Sequence, residues 1–134
     1  MPEHLFFSCP LAQSGLDWIQ SKLFLASPLA PSISVRHVLF GFSSDDLLCV
    51  PLVFAYMLNV CKFLVWAQRN DYRFRSKPPS ALSLLARLKQ RLRFYLPLFF
   101  KRFNSNRRRR YFLRHWGANG TLGSIQGSSF VPSF

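Results

Sequence analysis

Hydrophobic residues recur at helical spacing in the N-terminal half of the chain and predict two helices there. In residues 11–25 four apolar positions return every three to five residues, which is typical of an amphipathic helix, although Gly15 lowers the helical propensity. These positions are Leu11, Leu16, Ile19 and Leu23. Residues 45–70 are almost wholly apolar after Asp45 and Asp46, which suit the positive end of a helix dipole. We therefore predict a second, largely buried helix over 45–70.

A third helix is predicted after the Pro-Pro-Ser sequence that ends at Ser80. From there on, apolar residues keep to one face of a helix. They are Ala81, Leu84, Leu85, Leu88, Leu92, Tyr95, Leu96 and Phe99. Pro97 predicts a kink or an end of the helix just before it, because proline lacks a backbone N–H. We expect the rings of Phe94, Tyr95 and Phe99 to face the core.

Together these elements predict a mainly α fold of two or three loosely packed helices. Residues 1–72 form a near-neutral, apolar helical region, and residues 73–116 form a basic amphipathic helix and an arginine-rich segment. Residues 117–134 are rich in Gly and Ser and contain no charged side chain, so we expect a disordered C-terminal tail.

Charge is distributed very unevenly between the two halves of the chain. Residues 1–72 contain four basic and five acidic residues, whereas residues 73–134 contain fourteen basic residues and no acidic one. The two halves carry −1 and +14, which sum to the net charge of +13. A positive field of this kind attracts polyanions, nucleic acid first and anionic membrane second.

Basic and aromatic side chains alternate in the cationic half, which makes it the candidate nucleic-acid-binding segment. Guanidinium groups contact phosphates in a bidentate way and aromatic faces stack on unpaired bases, so this mixture suits RNA or single strands better than base-specific reading of a duplex. The candidate residues are Arg87, Lys89, Arg91, Arg93, Lys101, Arg102, Arg107, Arg108, Arg109, Arg110, Tyr111, Arg114 and Trp116. The run 107–110 equally suits a nuclear address, and the plain alternative is a solvated tail.

The three cysteines predict neither a disulfide framework nor a complete metal site. Cys49 and Cys61 lie twelve residues apart in one predicted helix. That spacing corresponds to about 18 Å, too far for a bridge, and favours a reducing, intracellular compartment. His4 and Cys9 have the spacing of the last two ligands of a CCHC zinc knuckle. Half a ligand set does not hold zinc, so we expect no cofactor unless further cysteines precede the chain.

Several segments, in order, resemble the C-terminal end of the reverse transcriptase polyprotein of LINE-type (non-LTR) retrotransposons. Residues 3–12 resemble the end of the zinc-binding segment of that family, and residues 17–20 resemble the Trp-containing helix that follows it. Residues 36–42 resemble its LLFG element, and residues 59–70 resemble its K-x-x-I-W-x-x-R-N helix. The basic stretch 73–116 is similar to tails on elements of animal genomes.

The resemblance implies a role in nucleic-acid binding, because the knuckle and tail of that family are expected to hold template RNA or target DNA near the polymerase. The polymerase and endonuclease domains have no counterpart in this sequence, and only His4 and Cys9 match the zinc ligands. The sequence also lacks a Ser/His/Asp arrangement, a phosphate loop and an HExxH motif, and five acids leave few groups for general acid–base chemistry. We therefore expect a nonenzymatic, sequence-nonspecific nucleic-acid-binding fragment in the nucleus or cytoplasm.

Two alternatives remain open at the level of sequence. The apolar run at about 47–67 is long enough for a bilayer and has a basic C-terminal flank, which suits a single-span membrane protein with a cytoplasmic tail. The same run equally suits a helix buried in a small bundle. The other alternative is a decayed retroelement copy that has no function.

Overall fold

Helices dominate the structure, a computed structural model that describes residues 9–134, and the mainly α fold class is confirmed. The α-helices of this described part are α1 (Pro10–Ala26), α2 (Val35–Phe40), α3 (Leu52–Arg75), α4 (Ala81–Phe100) and α5 (Asn106–His115). Short 3-10 turns lie at Asp46–Leu48 and Ala118–Gly120. An antiparallel hairpin of β1 (Gly123–Gln126) and β2 (Ser129–Pro132) follows the second turn.

The core lies where α1, α3 and α4 pack on one another. Along α4, five side chains at four-residue spacing are at most 1 % exposed: Leu84, Leu88, Leu92, Leu96 and Phe100. Gly15 of α1 meets this interface, since a Cβ on it would lie 2.7 Å from the Sγ of Cys61 and 3.3 Å from Cδ2 of Leu84. The glycine that lowers helical propensity therefore allows α1 to approach α3 and α4 closely.

The second long helix begins later than its predicted range of 45–70. Pro51 precedes the first residue of α3, Leu52, with extended torsions of φ −58° and ψ 145°. A proline placed further inside the helix would remove a backbone hydrogen bond and clash with the preceding turn. The acidic residues belong instead to the 3-10 turn before Pro51, where the carboxylate of Asp46 lies 3.2 Å from Nε2 of His37.

Helix α4 continues through Pro97 and ends at Phe100, so the alternative that the helix ends before Pro97 is wrong. The rings of Tyr95 and Phe99 stack with their centroids 5.3 Å apart, and this contact spans the proline. These two rings pack against the core, as predicted, but Phe94 is 72 % exposed. Phe94 lies outside because the row of buried side chains follows a different face of the helix.

The prediction of a disordered tail over 117–134 is wrong, because this segment folds into a hairpin packed on α4. Gly127 opens the two-residue turn between the strands at φ 61°, a conformation that favours glycine. Leu122 and Phe130 are at most 2 % exposed, and the ring of Phe130 lies 5.2 Å from that of Phe112. A few inward-facing apolar side chains are enough to order an otherwise polar tail.

Candidate nucleic-acid interface

Helix α5 presents the strongest uncompensated positive charge in the described part of the chain. Arg107, Arg110 and Arg114 are exposed and lie three and four residues apart, so they share one face of the helix. We call them the α5 arginine stripe. No acidic residue occurs between 73 and 134, and neither ion pair between described residues involves α4 or α5. The stripe therefore has no carboxylate partner among residues 9–134.

The other two arginines of the run 107–110 contact the protein itself. The guanidinium carbon of Arg109 lies 5.4 Å from the centre of the Phe100 ring, and its Nε donates to the carbonyl of Phe103 at 3.3 Å. Nη1 of Arg108 donates to Oδ1 of Asn104 at 3.3 Å. Arg109 thus helps to attach α5, whereas Arg107, Arg108 and Arg110 are exposed.

The candidate cations of α4 lie on two different sides of that helix. Arg87 and Arg91 lie toward α3, where the guanidinium of Arg91 is 5.1 Å from the centre of the Phe63 ring. Lys89 and Arg93 lie toward α1 and the C-terminal residue. At the end of the helix Lys101 and Arg102 are exposed. One helix therefore contributes positive charge to both of its flanks.

A cluster of cations and rings on the α1 side was not predicted from the sequence. The Nζ atoms of Lys22 and Lys89 lie 5.8 and 5.5 Å from the centre of the Trp18 ring, which meets the Phe134 ring edge-on at 5.6 Å. The guanidinium of Arg93 lies over Phe134, and its Nε donates to the backbone oxygen of that residue at 2.6 Å. Residues so far apart in sequence carry no local signal for this contact.

The candidate aromatic residues of α5 differ in how accessible they are. Trp116 is half-buried, and its ring lies 4.8 Å from that of Phe99 and 6.4 Å from that of Tyr56. Burial raises the pKa of the Tyr56 hydroxyl, which reflects the enclosed setting of these rings. Tyr111 is 49 % exposed and packs 4.5 Å from the ring of His115. Trp116 therefore belongs to the packing that holds α5, and Tyr111 is open to solvent.

Four further exposed rings lie on the C-terminal half of α3. Phe63, Trp66, Tyr72 and Phe74 are between 47 % and 74 % exposed, and Phe63 lies 6.0 Å from Trp66. The sequence does contain a signal for them. Phe63 and Trp66 are three residues apart and fall off the buried face of the predicted helix, so they mark a second apolar stripe that the core does not use.

The two predicted zinc ligands are not brought into a described metal site. His4 lies outside the described residues, and within 9–134 no group of three or more His, Cys, Asp or Glu is arranged to hold a metal ion. Cys9 is buried, and its Sγ accepts a hydrogen bond from Nη1 of Arg69 at 3.6 Å. Burial raises the pKa of the Cys61 thiol to about 12, so this thiol is protonated in the metal-free protein. Among residues 9–134, Cys9 therefore has no further ligands arranged beside it for zinc.

No protein-family model, curated protein or solved structure matches this chain. Across residues 9–134, no helix has both the length and the apolar character that crossing a bilayer requires. Charge and side-chain placement are consequently the features of this chain that bear on its function.

Proposed function

We propose that the chain is a sequence-nonspecific nucleic-acid-binding fragment that contacts the phosphates of RNA or DNA and acts without catalysis. The observation that carries the proposal is the α5 arginine stripe, an exposed row of guanidinium groups on a segment that contains no acidic residue. An unpaired cationic row of this kind gains the most binding free energy from a phosphate backbone, because the phosphates release their counterions when the cations bind.

The spacing of the stripe supports contact with consecutive phosphates. From Arg107 to Arg114 the helix rises about 10 Å at 1.5 Å per residue. Successive phosphates of one duplex strand advance about 3.4 Å along the axis, so the stripe covers roughly three nucleotide steps. Side chains as long as arginine easily absorb the remaining mismatch. This geometry favours tracking of the backbone and does not require any base to be read.

The resemblance to the C-terminal end of a LINE-type reverse transcriptase polyprotein supports the same function and an origin in a retroelement. The resemblance covers residues 36–42, in and next to α2, and residues 59–70 in α3, and it extends over the basic stretch 73–116 that contains the arginine stripe. The positive charge of α5 supports phosphate binding on physical grounds of its own. The scarcity of acids supports a binding role over general acid–base catalysis.

The salt dependence of binding tests the proposal directly. If about eight cations contact phosphate, the logarithm of the binding constant for duplex DNA falls with the logarithm of salt concentration at a slope of roughly −7. Replacing Arg107, Arg110 and Arg114 together by Gln removes three contacts and flattens that slope by about 2.7. A filter-binding titration at several salt concentrations measures both values.

The matched control replaces the same three residues by Lys, which keeps the charge and is expected to keep the slope. A binding constant that does not change with salt in the unmodified protein would contradict the proposal. If the Gln variant keeps the full slope, the phosphate contacts are made elsewhere than on α5.

A further inference from the structure

A cleft of about 590 Å³ lies between the C-terminal half of α3 and the connector that follows it. Its lining combines two exposed rings, two arginines, one amide and one proline. These residues are Trp66, Arg69, Asn70, Tyr72, Arg73 and Pro79. Positions 66, 69, 70 and 73 recur at three- and four-residue spacing, so they share one face of α3. The cleft is part of neither the α5 arginine stripe nor the buried core.

The side chains at the floor of this cleft are fixed in place by their neighbours. The guanidinium of Arg69 donates to the buried Sγ of Cys9, which holds it against α1. The ring of Trp66 packs at an angle of 35° against that of Phe63, and Arg91 of α4 covers Phe63. Trp66 is nevertheless 51 % exposed. A positioned and accessible indole with arginines one and two turns further along the helix is thus available to a ligand.

We propose that this cleft accepts one unpaired base of a bound single strand. The base stacks on the face of Trp66, and Arg69 and Arg73 contact the phosphates on either side of it. This inference depends on the proposed nucleic-acid binding and identifies single-stranded nucleic acid as the preferred form. An unpaired base fits both features of the cleft, because it combines a π face with an adjacent anionic backbone, whereas bases within a duplex are stacked and inaccessible.

The amide of Asn70 adds a hydrogen-bonding group next to the stacking surface. Asn is half-exposed here and presents both a donor and an acceptor, so it can pair with the edge of any base. Pro79 closes the cleft on the connector side and supplies an apolar wall. An acidic peptide would satisfy the arginines but would leave the exposed indole without a planar partner. The combination therefore favours a nucleotide strand over an acidic polypeptide.

The test compares filter binding of a single-stranded oligonucleotide and of a duplex of equal length, at one salt concentration. Trp66→Ala removes the stacking surface and is expected to weaken single-strand binding by about 5- to 160-fold, with less than a twofold change for the duplex. Trp66→Phe retains a ring and should lose far less. Phe40→Ala is the matched control, because Phe40 is 82 % exposed on α2, away from the cleft.

The outcomes separate this inference from the function on which it rests. If the unmodified protein binds neither form at low salt, nucleic-acid binding itself is refuted. If it binds both forms and Trp66→Ala changes neither, or weakens both equally, binding stands and the base-accepting cleft is overturned. The inference would also be overturned if polyglutamate displaced the labelled single strand as effectively as an unlabelled oligonucleotide does.

Discussion

Helices α4 and α5 are both rich in arginine and free of acidic residues, yet they are held in the structure in different ways. α4 has 20 residues and buries five side chains in the core between α1 and α3. α5 has 10 residues and fully buries only Phe112. The helix that carries the arginine stripe therefore buries far fewer side chains than α4 does.

This difference shows how the fold tolerates concentrated charge. Arginines 107–109 lie in the first turn of α5, at the positive end of its dipole, where cations are unfavourable and repel one another. Burial offsets this cost mainly through Phe112, which contacts rings of α4 and β2, while Leu113 and Trp116 are partly buried. In α4 the cations lie along an extensive apolar face, and several of them pack on rings. A phosphate backbone would relieve the repulsion in α5 more than in α4.

The largest expected effect comes from removing the buried anchor of α5. Phe112→Ala leaves a cavity among the rings of Phe99, Phe100 and Phe130 and should reduce the free energy of unfolding by about 3–5 kcal/mol. In hydrogen exchange, the backbone amides of α5 and the hairpin should lose protection, whereas those of α4 should remain protected. Tyr111→Ala, at an exposed ring, is the control and should cost little. Equal loss of protection in α4 and α5 would contradict the conclusion that the two helices are held in different ways.

The N-terminal caps of α4 and α5 allow a matched pair of substitutions with a smaller expected effect on stability. The hydroxyl of Ser105 accepts from the backbone N–H of Arg108 at 3.2 Å, and that of Ser80 accepts from Ser83 at 3.1 Å. Either Ser→Ala substitution costs about 0.5–2 kcal/mol on average. We expect Ser105→Ala to be the more damaging, because the backbone of Ser80 is also held by the side chain of Gln68.

Urea denaturation of the two cap variants, followed by circular dichroism, measures this difference. A larger loss of stability in Ser80→Ala than in Ser105→Ala would mean that the extra contacts of Gln68 do not compensate at the start of α4. If the contacts of Gln68 do compensate, the loss of stability in the double variant Gln68→Ala/Ser80→Ala should exceed the sum of the two single losses, since the buried amide binds the backbone of Ser80.

The smallest expected effect concerns pH and His115 at the end of α5. Burial lowers the pKa of His115 below its ordinary value of 6.5, and the neighbouring Arg114 lowers it further. Below pH 6.5 the unfolded chain therefore binds more protons at this position than the folded chain, so stability falls as the pH falls through this window. Urea midpoints at pH 7.5 and 5.5 should differ less in His115→Gln than in the unmodified protein. An unchanged difference would assign the pH dependence to another group.

Local patterns were sufficient to predict most of the helices. The spacing of Leu16, Ile19 and Leu23 predicted α1, and the Pro-Pro-Ser sequence predicted the start of α4, where Ser80 indeed caps the helix. The start of α3 was predicted too early because the acidic pair was assigned to that helix, whereas Pro51 separates the two. In each case the deciding information lay within a few residues of the helix end.

Contacts between distant residues were the part that could not be predicted. The hairpin at the C-terminus is ordered by Phe130 on a ring cluster from α4 and α5, which composition alone does not reveal. The candidate interface was assigned to residues 87–116, where the cations do lie. Further accessible rings lie outside that range on α3, because the tertiary packing buries Trp116 partly and leaves Trp66 exposed.

The three tryptophans occupy three separate environments, which has a practical consequence. Trp18 lies beneath two ammonium groups, Trp66 faces solvent, and Trp116 lies within a ring cluster beside Tyr95. Variants that retain a single indole would emit light from one known location each. The fluorescence emission maximum of each variant and its quenching would then report separately on the α1 edge, the α3 surface and the attachment of α5, without an external dye.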